Sequence, residues 1–506
     1  MIPLYTPAQV RAMDQATIAA GTSSSMLMER AARALARAVV RVAGRRYGLR
    51  VLFVCGKGNN AGDGIAAARY LRADGVDARV ALVQGDDGLS ADAAQQLRLY
   101  RNSSGRVEPP VWLDDVDVVV DCLLGTGAAG EPRPQLARAI EAVNQYRAGN
   151  HDVVVLACDG VTGADGDDGS VAGTSIKADV TVTIGAHKRG LWLWPARGAG
   201  GAIECADIGI AESGPAEAAA QMLEDADVAR ILPPSAPDTD KRGRGVVVVL
   251  AGSPGMSGAA TMVARGALGA GVGLLTVATD ASVRDVVAAS APESMTIGLA
   301  PDNADAAYAA MKQALQGADV LAIGPGLGRA PATIALVRRL VRDIPIPIVL
   351  DADGLNAFRG EGDLLGEHAA PHLVLTPHAR EFARLLGADA DEVWPRRLEE
   401  VAKAAQRWRA TIVAKGPGTI VTAPDGCTWI NPTGTAALAT GGTGDVLTGI
   451  LAAARSATDA PEVVAAAVYL HGRAGEIAAQ RKPPRSVAAL DVAAAIPAAL
   501  ASLEST

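Results

Sequence analysis

The sequence predicts an α/β protein of two domains, each a three-layer sandwich with a mostly parallel sheet between helices. The chain has 506 residues, which is more than one ordinary hydrophobic core accommodates. Short apolar runs alternate with helical stretches of about 10 to 15 residues, a rhythm typical of βαβ units. The rhythm stops once and restarts with different loop sequences, so we interpret the halves as unrelated domains and not as a repeat.

The first half begins with a helical stretch from Thr6 to Val42, for which Thr6 or Thr22 is the predicted N-cap. Five apolar runs follow, which we predict as strands at Leu49–Cys55, Ala78–Gln84, Val116–Leu124, Val153–Cys158 and Val180–Ile184. The helices between them are predicted at Ile65–Ala73, Ala91–Arg101 and Gln135–Arg147.

The segment Ala211–Pro215 interrupts this rhythm, and small residues follow it. We therefore predict domains at residues 1–215 and 225–506, joined by a linker at 216–224. In the second half, a helix is predicted from Asp445 to Ala454. Strands are predicted at Val246–Leu250, Leu274–Ala278, Val320–Ile323, Ile346–Leu350, Leu373–Leu375 and Thr411–Ala414.

Charge and composition exclude several classes of function. The net charge is -8 and the pI is near 5.4, whereas a nucleic-acid-binding protein usually carries a basic face. Two short basic runs, Arg41–Arg46 and Lys241–Arg244, are interpreted as solvated loops, although the second could also face a phosphate. We expect five buried, reduced cysteines, no membrane span, no signal peptide and a cytoplasmic location.

Four loops of the first half follow predicted strands and carry polar residues. They are Gly56–Gly64, Asp121, Gly125–Glu131 and Asp159–Gly163. In an open parallel sheet, ligands bind beyond the carboxyl ends of the strands. The glycine-rich loop before the helix at Ile65 would admit an anion, although it could also be a tight turn. Together with an asparagine and a threonine hydroxyl, the aspartates predict an oxygen-rich cation site. Alternatively, the aspartates could cap helices.

The glycine-rich loop has the sequence Gly56-Lys57-Gly58-Asn59-Asn60-Ala61-Gly62-Asp63-Gly64. Together with the later loops, it resembles the N-terminal epimerase domain of the NAD(P)H-hydrate repair enzymes. The resemblance spans residues 8–215 and implies a Rossmann-like three-layer sandwich. Two positions differ from the family pattern, because Ala61 replaces a glycine and Val161-Thr162 replaces a proline-serine pair. Threonine retains the hydroxyl group of the serine.

The resemblance implies a role for each of these loops. Asp159 would contact the nicotinamide end of the hydrated dinucleotide and catalyse the proton transfer that inverts the carbon bearing the hydroxyl. Potassium would be bound by Asn60, Asp121 and Thr162. The substrate would also contact Asn59, Asn60, Ala61, Gly62, Asp63, Gly125, Thr126, Gly127, Ala128, Ala129, Gly130 and Glu131.

The strongest motif lies in the second half, at Thr440-Gly441-Gly442-Thr443-Gly444-Asp445 before a predicted helix. Backbone N–H groups of such a loop can hold the oxygens of a phosphoryl group in transfer. Asp445 lies beside them and can take a proton from a substrate hydroxyl. The simpler alternative is a glycine turn with an acidic helix cap.

Other motifs accompany this loop in a fixed order, and the ordered set is more specific than any one member. They are Gly252–Ala259, Gly324–Gly328, Asp351–Asn356, Leu375–Glu381 and Lys415–Thr419. Over residues 225–500 the set resembles the ribokinase-like three-layer sandwich and, within it, the NAD(P)H-hydrate dehydratases that use ADP or ATP.

This second resemblance implies that Asp445 is the catalytic base, that ADP is the phosphoryl donor and that magnesium assists it. The hydrated nicotinamide would contact Ala259, Gly326, His378 and Asp445, and the adenine nucleotide would contact Lys415, Gly416, Pro417, Gly418, Thr419 and Gly444. Asp351 and Asp353 could hold magnesium through water or cap the next helix.

A fused epimerase and dehydratase would repair both epimers of NADHX and NADPHX, the hydrated forms of NADH and NADPH. Two alternatives remain open: a true hydroxyl kinase of vitamin metabolism, and a first domain that serves only as a binding scaffold. The presence of Asn60, Asp121, Asp159 and Thr162 argues against a scaffold, which has no need of a cation site. We also expect a homo-oligomer without nucleic-acid or membrane partners.

Overall fold

A computed structural model of the protein describes residues 1–109, 113–210, 217–300 and 302–504. The chain separates into two compact units, Ile2–Gln221 and Met222–Thr506. This division falls within the span 216–224 that we predicted as the linker. The predicted break at Ala211–Pro215 lies outside the described residues.

The first unit contains ten strands and six helices among its described residues, with the last strand crossing the division. The strands are β1 (Ile2–Tyr5), β2 (Arg50–Cys55), β3 (Asp77–Leu82), β4 (Val107–Glu108), β5 (Val118–Cys122), β6 (Val154–Cys158), β7 (Val180–Ile184), β8 (His187–Lys188), β9 (Ala202–Ala206) and β10 (Ala220–Met222). The helices are α1 (Pro7–Ala19), α2 (Ser24–Ala43), α3 (Asn59–Ala73), α4 (Ala91–Asn102), α5 (Pro134–Gly149) and α6 (Ala196–Ala199).

The second unit follows the same alternation over its described residues. Its strands are β11 (Val246–Leu250), β12 (Leu274–Asp280), β13 (Met295–Leu299), β14 (Val320–Ile323), β15 (Ile348–Leu350), β16 (Leu373–Leu375), β17 (Thr411–Ala414), β18 (Ile420–Thr422) and β19 (Thr428–Ile430). Its helices are α7 (Asp225–Ile231), α8 (Ser257–Gly269), α9 (Arg284–Ser290), α10 (Ala304–Ala314), α11 (Pro331–Asp343), α12 (Asp353–Asn356), α13 (Ala379–Leu386), α14 (Ala390–Val393), α15 (Arg397–Trp408), α16 (Thr443–Ala457), α17 (Val463–Arg481) and α18 (Ala489–Glu504).

The main sheet of the first unit has the order β4-β3-β2-β5-β6-β7-β9, and all its neighbours are parallel. The strand order reverses between β2 and β5, which creates a switch point where the following loops diverge. Alternate residues of β2 enter different cores, with Val51 and Phe53 packed among α2 and α3, and Leu52 and Val54 packed with α5. Both faces are therefore covered, as the predicted three-layer sandwich requires.

The second unit has the order β13-β12-β11-β14-β15-β16-β17-β18-β19, parallel from β13 to β17 and antiparallel beyond. Its switch point lies between β11 and β14. Val320 and Ala322 pack in the core formed with α8, α16, α17 and α18, while the alternate residues Leu321 and Ile323 are also buried. The predicted α/β class is confirmed in both units.

Two local predictions in the first unit were wrong. Helix α3 begins at Asn59 and not near Ile65, because Gly58 adopts an extended conformation and acts as the N-cap. The residues Asn59–Asp63 therefore lie in the first turns of a helix and not in a loop. The long helical stretch consists of two helices. Thr6 caps the first helix through a capping box with Gln9. The N-cap of the second helix is Ser23 and not Thr22.

The prediction of five buried cysteines was correct for three of them. Cys55, Cys122 and Cys158 are buried at strand ends, whereas Cys205 and Cys427 are exposed. Cys205 lies on the edge strand β9 and Cys427 lies in the turn before β19. None of the described helices is long and apolar enough to cross a membrane.

Helices α8 and α16 approach each other through two glycines. A methyl group at Gly449 would lie 2.1 Å from the carbonyl oxygen of Val263, and one at Gly266 would lie 2.3 Å from that of Val446. These backbones are rigid helical segments, so neither clash is relieved by a side-chain movement. The N-cap of α16 also lies against α8, because a methyl group at Gly442 would lie 2.2 Å from the Met262 sulfur.

We predict that Gly449→Ala destabilises the second unit by about 1 to 3 kcal/mol through this overpacking. Thermal or urea unfolding of the full chain measures the effect in the transition of that unit. The matched control is Gly258→Ala on α8, where a methyl group meets no atom within 4 Å and helix propensity favours alanine. Equal stability of Gly449→Ala and wild type would contradict the packing described here.

Candidate active sites

The switch point of the first unit holds a buried carboxylate, Asp121, which is 1% exposed. Its Oδ1 accepts hydrogen bonds from the Thr162 hydroxyl at 2.7 Å and from the Leu123 N–H at 3.1 Å, and its Oδ2 accepts one from the Thr162 N–H at 3.0 Å. Burial raises the pKa of Asp121 to about 6, although these hydrogen bonds act to lower it. A nearby cation would favour its charged form.

Asn60 faces the same region from the first turn of α3. Its Nδ2 donates to the Leu124 carbonyl oxygen at 3.0 Å, but its Oδ1 is buried without a hydrogen-bond partner. A buried acceptor without a donor is costly. The unpaired amide oxygen, the Asp121 carboxylate and the Thr162 hydroxyl form an oxygen-rich set that fits a hard cation such as potassium.

Asp159 follows β6 and adopts a left-handed conformation, with φ of 64°. Its Oδ2 accepts hydrogen bonds from the Thr126 hydroxyl at 2.9 Å and the Thr126 N–H at 3.3 Å. Its Oδ1 accepts from the Ile184 N–H at 3.2 Å and forms an ion pair with the Lys188 ammonium. Burial alone would raise the pKa of Asp159, but the charge and hydrogen bond of Lys188 outweigh it and lower that pKa.

Lys188 itself is almost completely buried, at 1% exposed. Besides Asp159, its ammonium donates to the Ile184 carbonyl oxygen at 2.7 Å and to the Thr183 hydroxyl at 3.1 Å. All three N–H groups therefore have a partner, which is how a buried lysine avoids an unpaired charge. The lysine fixes the position of the Asp159 carboxylate and keeps it ionised.

Two more carboxylates, Asp63 on α3 and Asp14 on α1, interact with this ion pair. Burial is the main cause that raises the pKa of Asp63 well above its ordinary value, and the negative charges of Asp159 and Asp14 raise it further. Burial also raises the pKa of Asp14. The cluster thus combines a carboxylate whose pKa is lowered with two whose pKa values are raised, a contrast useful for acid–base chemistry.

Only the first residues of the glycine loop Gly125–Glu131 lie beside this cluster. A methyl group at Gly125 would lie 3.4 Å from Oδ2 of Asp159 and 3.5 Å from Cβ of Asn60, and one at Gly127 would lie 2.8 Å from the Arg11 guanidinium. Thr126 is buried against Asp159. The rest of the loop turns outward, with Ala129, Gly130 and Glu131 exposed.

In the second unit, the loop before α16 ends at a glycine in the left-handed conformation. Gly442 has φ of 91° and is the N-cap, and Asp445 lies in the first turn. The left-handed conformation favours glycine at this position, and a methyl group there would also displace the Met262 side chain, whose sulfur would lie 2.2 Å away. The Asp445 carboxylate has no hydrogen-bond or ion-pair partner among the residues that the structure describes.

Asp445 sits among other charges. Burial is the largest cause that raises the pKa of Asp445 to about 7, and the negative charges of Asp351 and Glu381 raise it as well, while the Lys415 ammonium lowers it. A carboxylate with a pKa near neutrality can both accept and release a proton. This geometry and electrostatics suit a general base.

The predicted nucleotide loop, Lys415–Thr419, follows β17 and is held by its own residues. The Thr419 hydroxyl donates to the Gly416 carbonyl oxygen at 2.9 Å and accepts from the Gly416 N–H at 3.3 Å. Gly418 has φ of 67°, a left-handed conformation that favours glycine. Gly444 adjoins this loop, since a methyl group there would lie 3.3 Å from the Lys415 Nζ.

Besides Asp445, the predicted substrate residues of this unit are Ala259 in the first turn of α8, Gly326 after β14 and His378 before α13. Ala259 and Gly326 adjoin, because a methyl group at Gly326 would lie 2.8 Å from the Ala259 Cβ. His378 pairs with Lys415 in an isolated β-bridge, and its Nδ1 accepts the N–H groups of Arg380 and Glu381 at the start of α13. Its Nε2 lies 3.5 Å from the Glu381 carboxylate.

Asp351 and Asp353, whose roles the sequence leaves open, both contact protein donors. Asp351 binds Lys415 and the Thr448 hydroxyl, each at 2.7 Å. Asp353 accepts from the Gly328 N–H at 2.9 Å, and its other oxygen accepts from the Asn356 amide and the Arg329 guanidinium. Both carboxylates are engaged by protein donors, and Ala352, rather than either aspartate, is the N-cap of α12.

Sequence reasoning missed Lys188, Asp14 and Thr448. Lys188 is an isolated lysine after a short strand, and Thr448 is a helical threonine in an apolar stretch, so neither carries a local signal. Asp14 is one charged residue of a helical stretch and belongs to no motif. Their contacts arise between elements distant in the chain, which residue spacing does not reveal.

Known proteins resemble each half and the whole of this chain. The family described as NAD(P)H-hydrate dehydratase matches residues 247–498, and the family described as YjeF-related protein N-terminus matches residues 24–190. The bifunctional NAD(P)H-hydrate repair enzyme of Moorella thermoacetica is 37% identical over 500 residues, which cover 95% of this chain and 93% of that protein. The enzyme of the same name from Escherichia coli K12 is 32% identical, over 87% of this chain and 83% of its own.

Solved structures resemble the second unit. A ribokinase-like superfamily protein from Enterococcus faecalis V583 has a TM-score of 0.50 and 25% identity, covering 57% of this chain and 98% of that protein. The ADP/ATP-dependent NAD(P)H-hydrate dehydratase from Bacillus subtilis, co-crystallised with ATP and Mg²⁺, has a TM-score of 0.49 and 29% identity, over 56% of this chain and 99% of its own.

The relatives from Moorella and Escherichia align with both units and with the sequence between them. A kinase of vitamin alcohols would not require the first unit, and the first unit alone would not account for the second. The chain therefore belongs to the family of bifunctional NAD(P)H-hydrate repair enzymes.

Proposed function

We propose that this protein repairs hydrated nicotinamide nucleotides in two steps. The first unit interconverts the R and S epimers of NADHX and NADPHX, and the second unit dehydrates the S epimer with ADP, giving NAD(P)H, AMP and phosphate. The observation that carries this proposal is the similarity of almost the whole chain to bifunctional repair enzymes. The acid–base clusters near the carboxyl ends of the strands in the two units support it.

Epimerisation inverts the ring carbon that bears the hydroxyl group. The hydroxyl leaves as water after protonation, the ring nitrogen stabilises the resulting cation, and water adds from the other face with loss of a proton. Asp159, held ionised by Lys188, is suited to take a proton and to stabilise positive charge. The substrate would lie along Asn59, Asn60, Ala61, Gly62, Asp63 and Gly125–Glu131.

Potassium fits the oxygen set around the switch point of the first unit. Asn60, Asp121 and Thr162 would hold it, because the Asn60 Oδ1 lacks a donor and the Asp121 carboxylate is buried. Bound there, the cation would offset the charge of Asp121 and of the dinucleotide phosphates.

Dehydration faces the difficulty that hydroxide is a poor leaving group. Asp445 takes the proton from the ring-carbon hydroxyl, whose oxygen attacks the terminal phosphorus of ADP and displaces AMP. The ring nitrogen then expels phosphate, and loss of a proton from the adjacent carbon restores NAD(P)H. The N–H groups of the loop ending at Gly444 stabilise the charge that develops on the phosphoryl oxygens.

The remaining residues of the second unit bind the two ligands. Lys415, Gly416, Pro417, Gly418, Thr419 and Gly444 would contact the adenine nucleotide, and Ala259, Gly326 and His378 would contact the hydrated nicotinamide. Magnesium would accompany the nucleotide phosphates and neutralise part of their charge, since the carboxylates of Asp351 and Asp353 are engaged by protein donors.

We place the enzyme in the cytoplasm, where reduced nicotinamide nucleotides are used and thiols stay reduced. The two exposed thiols, Cys205 and Cys427, are compatible with such a compartment. A homo-oligomer stays a prediction.

One assay tests both activities. An R/S mixture of hydrated NADH is incubated with ADP, magnesium and potassium, and the recovery of reduced nicotinamide absorbance is followed. We expect full recovery. Recovery of the S fraction alone, after correction for slow spontaneous epimerisation, would refute the epimerase assignment. Absence of recovery with either ADP or ATP would refute the dehydratase assignment.

Asp445→Ala is expected to lower the dehydratase kcat by at least about 100-fold, since a general base contributes that much or more. Epimerisation should continue at the wild-type rate, because it depends on residues of the other unit. Chiral chromatography of the hydrated substrate measures the second activity. Loss of both activities would show that the two units are not independent.

Asp159→Asn is the reciprocal variant, and it should lower the epimerisation rate by about 100-fold or more. Asparagine tolerates the left-handed conformation of this position, with φ of 64°, so the backbone is preserved. Dehydration of the pure S epimer serves as the control and should be unaffected. Wild-type epimerisation by this variant would exclude Asp159 as the catalytic carboxylate.

Thr162→Val removes the hydroxyl from the proposed potassium site and should raise the potassium concentration needed for half-maximal effect by about tenfold. The readout without substrate is the potassium-dependent rise in the unfolding temperature of the first unit, with choline chloride at equal ionic strength as the salt control. Thr162→Ser is the matched variant and should respond like wild type. A wild-type protein indifferent to potassium in both stability and rate would refute this site.

A further inference from the structure

Asp351 is the most deeply buried acidic group beside the loop of Asp445 among the described residues, at 1% exposed. It follows β15, and its two oxygens have different partners. Oδ1 accepts from the Lys415 ammonium at 2.7 Å and Oδ2 accepts from the Thr448 hydroxyl at 2.7 Å. The carboxylate therefore joins the ends of β15 and β17 to α16.

Thr448 lies one helical turn beyond Gly444. Its hydroxyl also faces the Gly444 carbonyl oxygen at 3.1 Å, so it touches both the carboxylate and the backbone of the glycine loop. The side chain is completely buried. Replacement of its hydroxyl by a methyl group would leave an oxygen of Asp351 without a donor in a site closed to water.

Lys415 is placed by this carboxylate directly beside the glycine loop. A methyl group at Gly444 would lie 3.3 Å from its Nζ and 3.9 Å from Oδ2 of Asp351. Among the described residues, its ammonium hydrogen-bonds Asp351 alone. Two N–H groups of the ammonium thus remain for a ligand, in contrast to Lys188, whose three are all used within the protein.

We propose that Asp351 and Thr448 are positioning residues of the dehydratase site, which fix the Lys415 ammonium beside Gly444 so that it binds the oxygens of the transferred phosphoryl group. This inference rests on the proposed dehydratase function and deepens it. It assigns Lys415 to the reacting end of the nucleotide and gives Asp351 a role that requires no contact with substrate or metal.

A lysine held in this way would do two things. It would lower the charge repulsion between the phosphoryl oxygens and the approaching substrate oxygen. It would also interact with Asp445, whose pKa the Lys415 charge lowers and the Asp351 charge raises. Because Asp351 is paired with Lys415, their effects on the pKa of Asp445 oppose each other, and that pKa stays at about 7.

Several other charged or titratable groups surround this pair. Glu381 and His378 face it from the start of α13, where Glu381 raises the pKa of Asp445 and burial lowers that of His378. Beneath the loop, α17 contributes His471, whose pKa burial lowers to about 4 and which the backbone of Thr443 hydrogen-bonds. Both histidines are thereby neutral near pH 7, and the pair Asp351–Lys415 dominates the charge beside Asp445.

The decisive comparison is between Thr448→Val and Thr448→Ser. Valine keeps the shape but removes the donor to Asp351, so the dehydratase kcat should fall about tenfold or more, while serine should recover most of it. Thr422→Val is the matched control, since Thr422 is a buried threonine of the same unit whose hydroxyl contacts Thr428 and not this site. Wild-type kcat in Thr448→Val would overturn the inference.

Asp351→Asn tests the electrostatic part. Loss of the negative charge removes a cause that raises the pKa of Asp445 and leaves the lowering charge of Lys415 without compensation. The acid limb of the dehydratase kcat profile should therefore move to lower pH, and the KM for ADP should rise. A reduced kcat with an unmoved acid limb and unchanged KM would indicate a merely structural role and overturn the inference.

Two controls separate this result from other failures. Absence of dehydration by the wild-type chain would refute the proposed function itself, before any variant is made. Each variant is checked for a cooperative unfolding transition of the second unit, and if Asp351→Asn does not fold, the Thr448 pair still decides the question, because valine and serine both fit the same buried position.

Discussion

A buried charge at the end of a parallel strand must be paired, and both candidate sites are organised around that constraint. Asp159 follows β6 and pairs with Lys188; Asp351 follows β15 and pairs with Lys415. Leaving any of these charges unpaired in the interior would cost several kcal/mol, on the order of 3 to 5 for removal of one partner. The surrounding loops therefore have to bring a lysine to each aspartate, and that requirement fixes how the loops meet.

The buried lysine–aspartate pair has a different role in each site. In the first unit, Lys188 is saturated by protein acceptors and acts on Asp159, which it holds in the ionised form. In the second unit, Lys415 has two N–H groups without a partner among the described residues. The proposed general base is a separate carboxylate, Asp445, whose pKa is raised to about 7 mainly by burial. An ionised carboxylate suits a step with a cationic ring, whereas a base near neutrality suits removal of a proton from a hydroxyl group.

Much of the fold and part of each site could be predicted from sequence. The strands Val180–Ile184, Val246–Leu250 and Thr411–Ala414 have the predicted limits, because continuous apolar runs between glycine-rich loops carry a strong local signal. The start of α3 was misplaced, since glycines and asparagines favour loops locally and only the N-cap geometry of Gly58 shows that the helix begins at Asn59. Exposure of Cys205 depends on strand order, which local sequence does not contain.

The sequence by itself determined the α/β class, the two units and the residue types that carry the chemistry, because periodicity and glycine-aspartate motifs are local properties. The tertiary structure alone decided which lysine pairs with which aspartate. It also leaves the Asn60 Oδ1 buried without a hydrogen-bond partner and places the Thr448 hydroxyl where it donates to Asp351. Residues 351, 415 and 448 are far apart in the chain and come together only because parallel strands end on the same edge of the sheet. That shared edge, and not any single motif, brings the Asp445 carboxylate, the Lys415 ammonium and the glycine loop together.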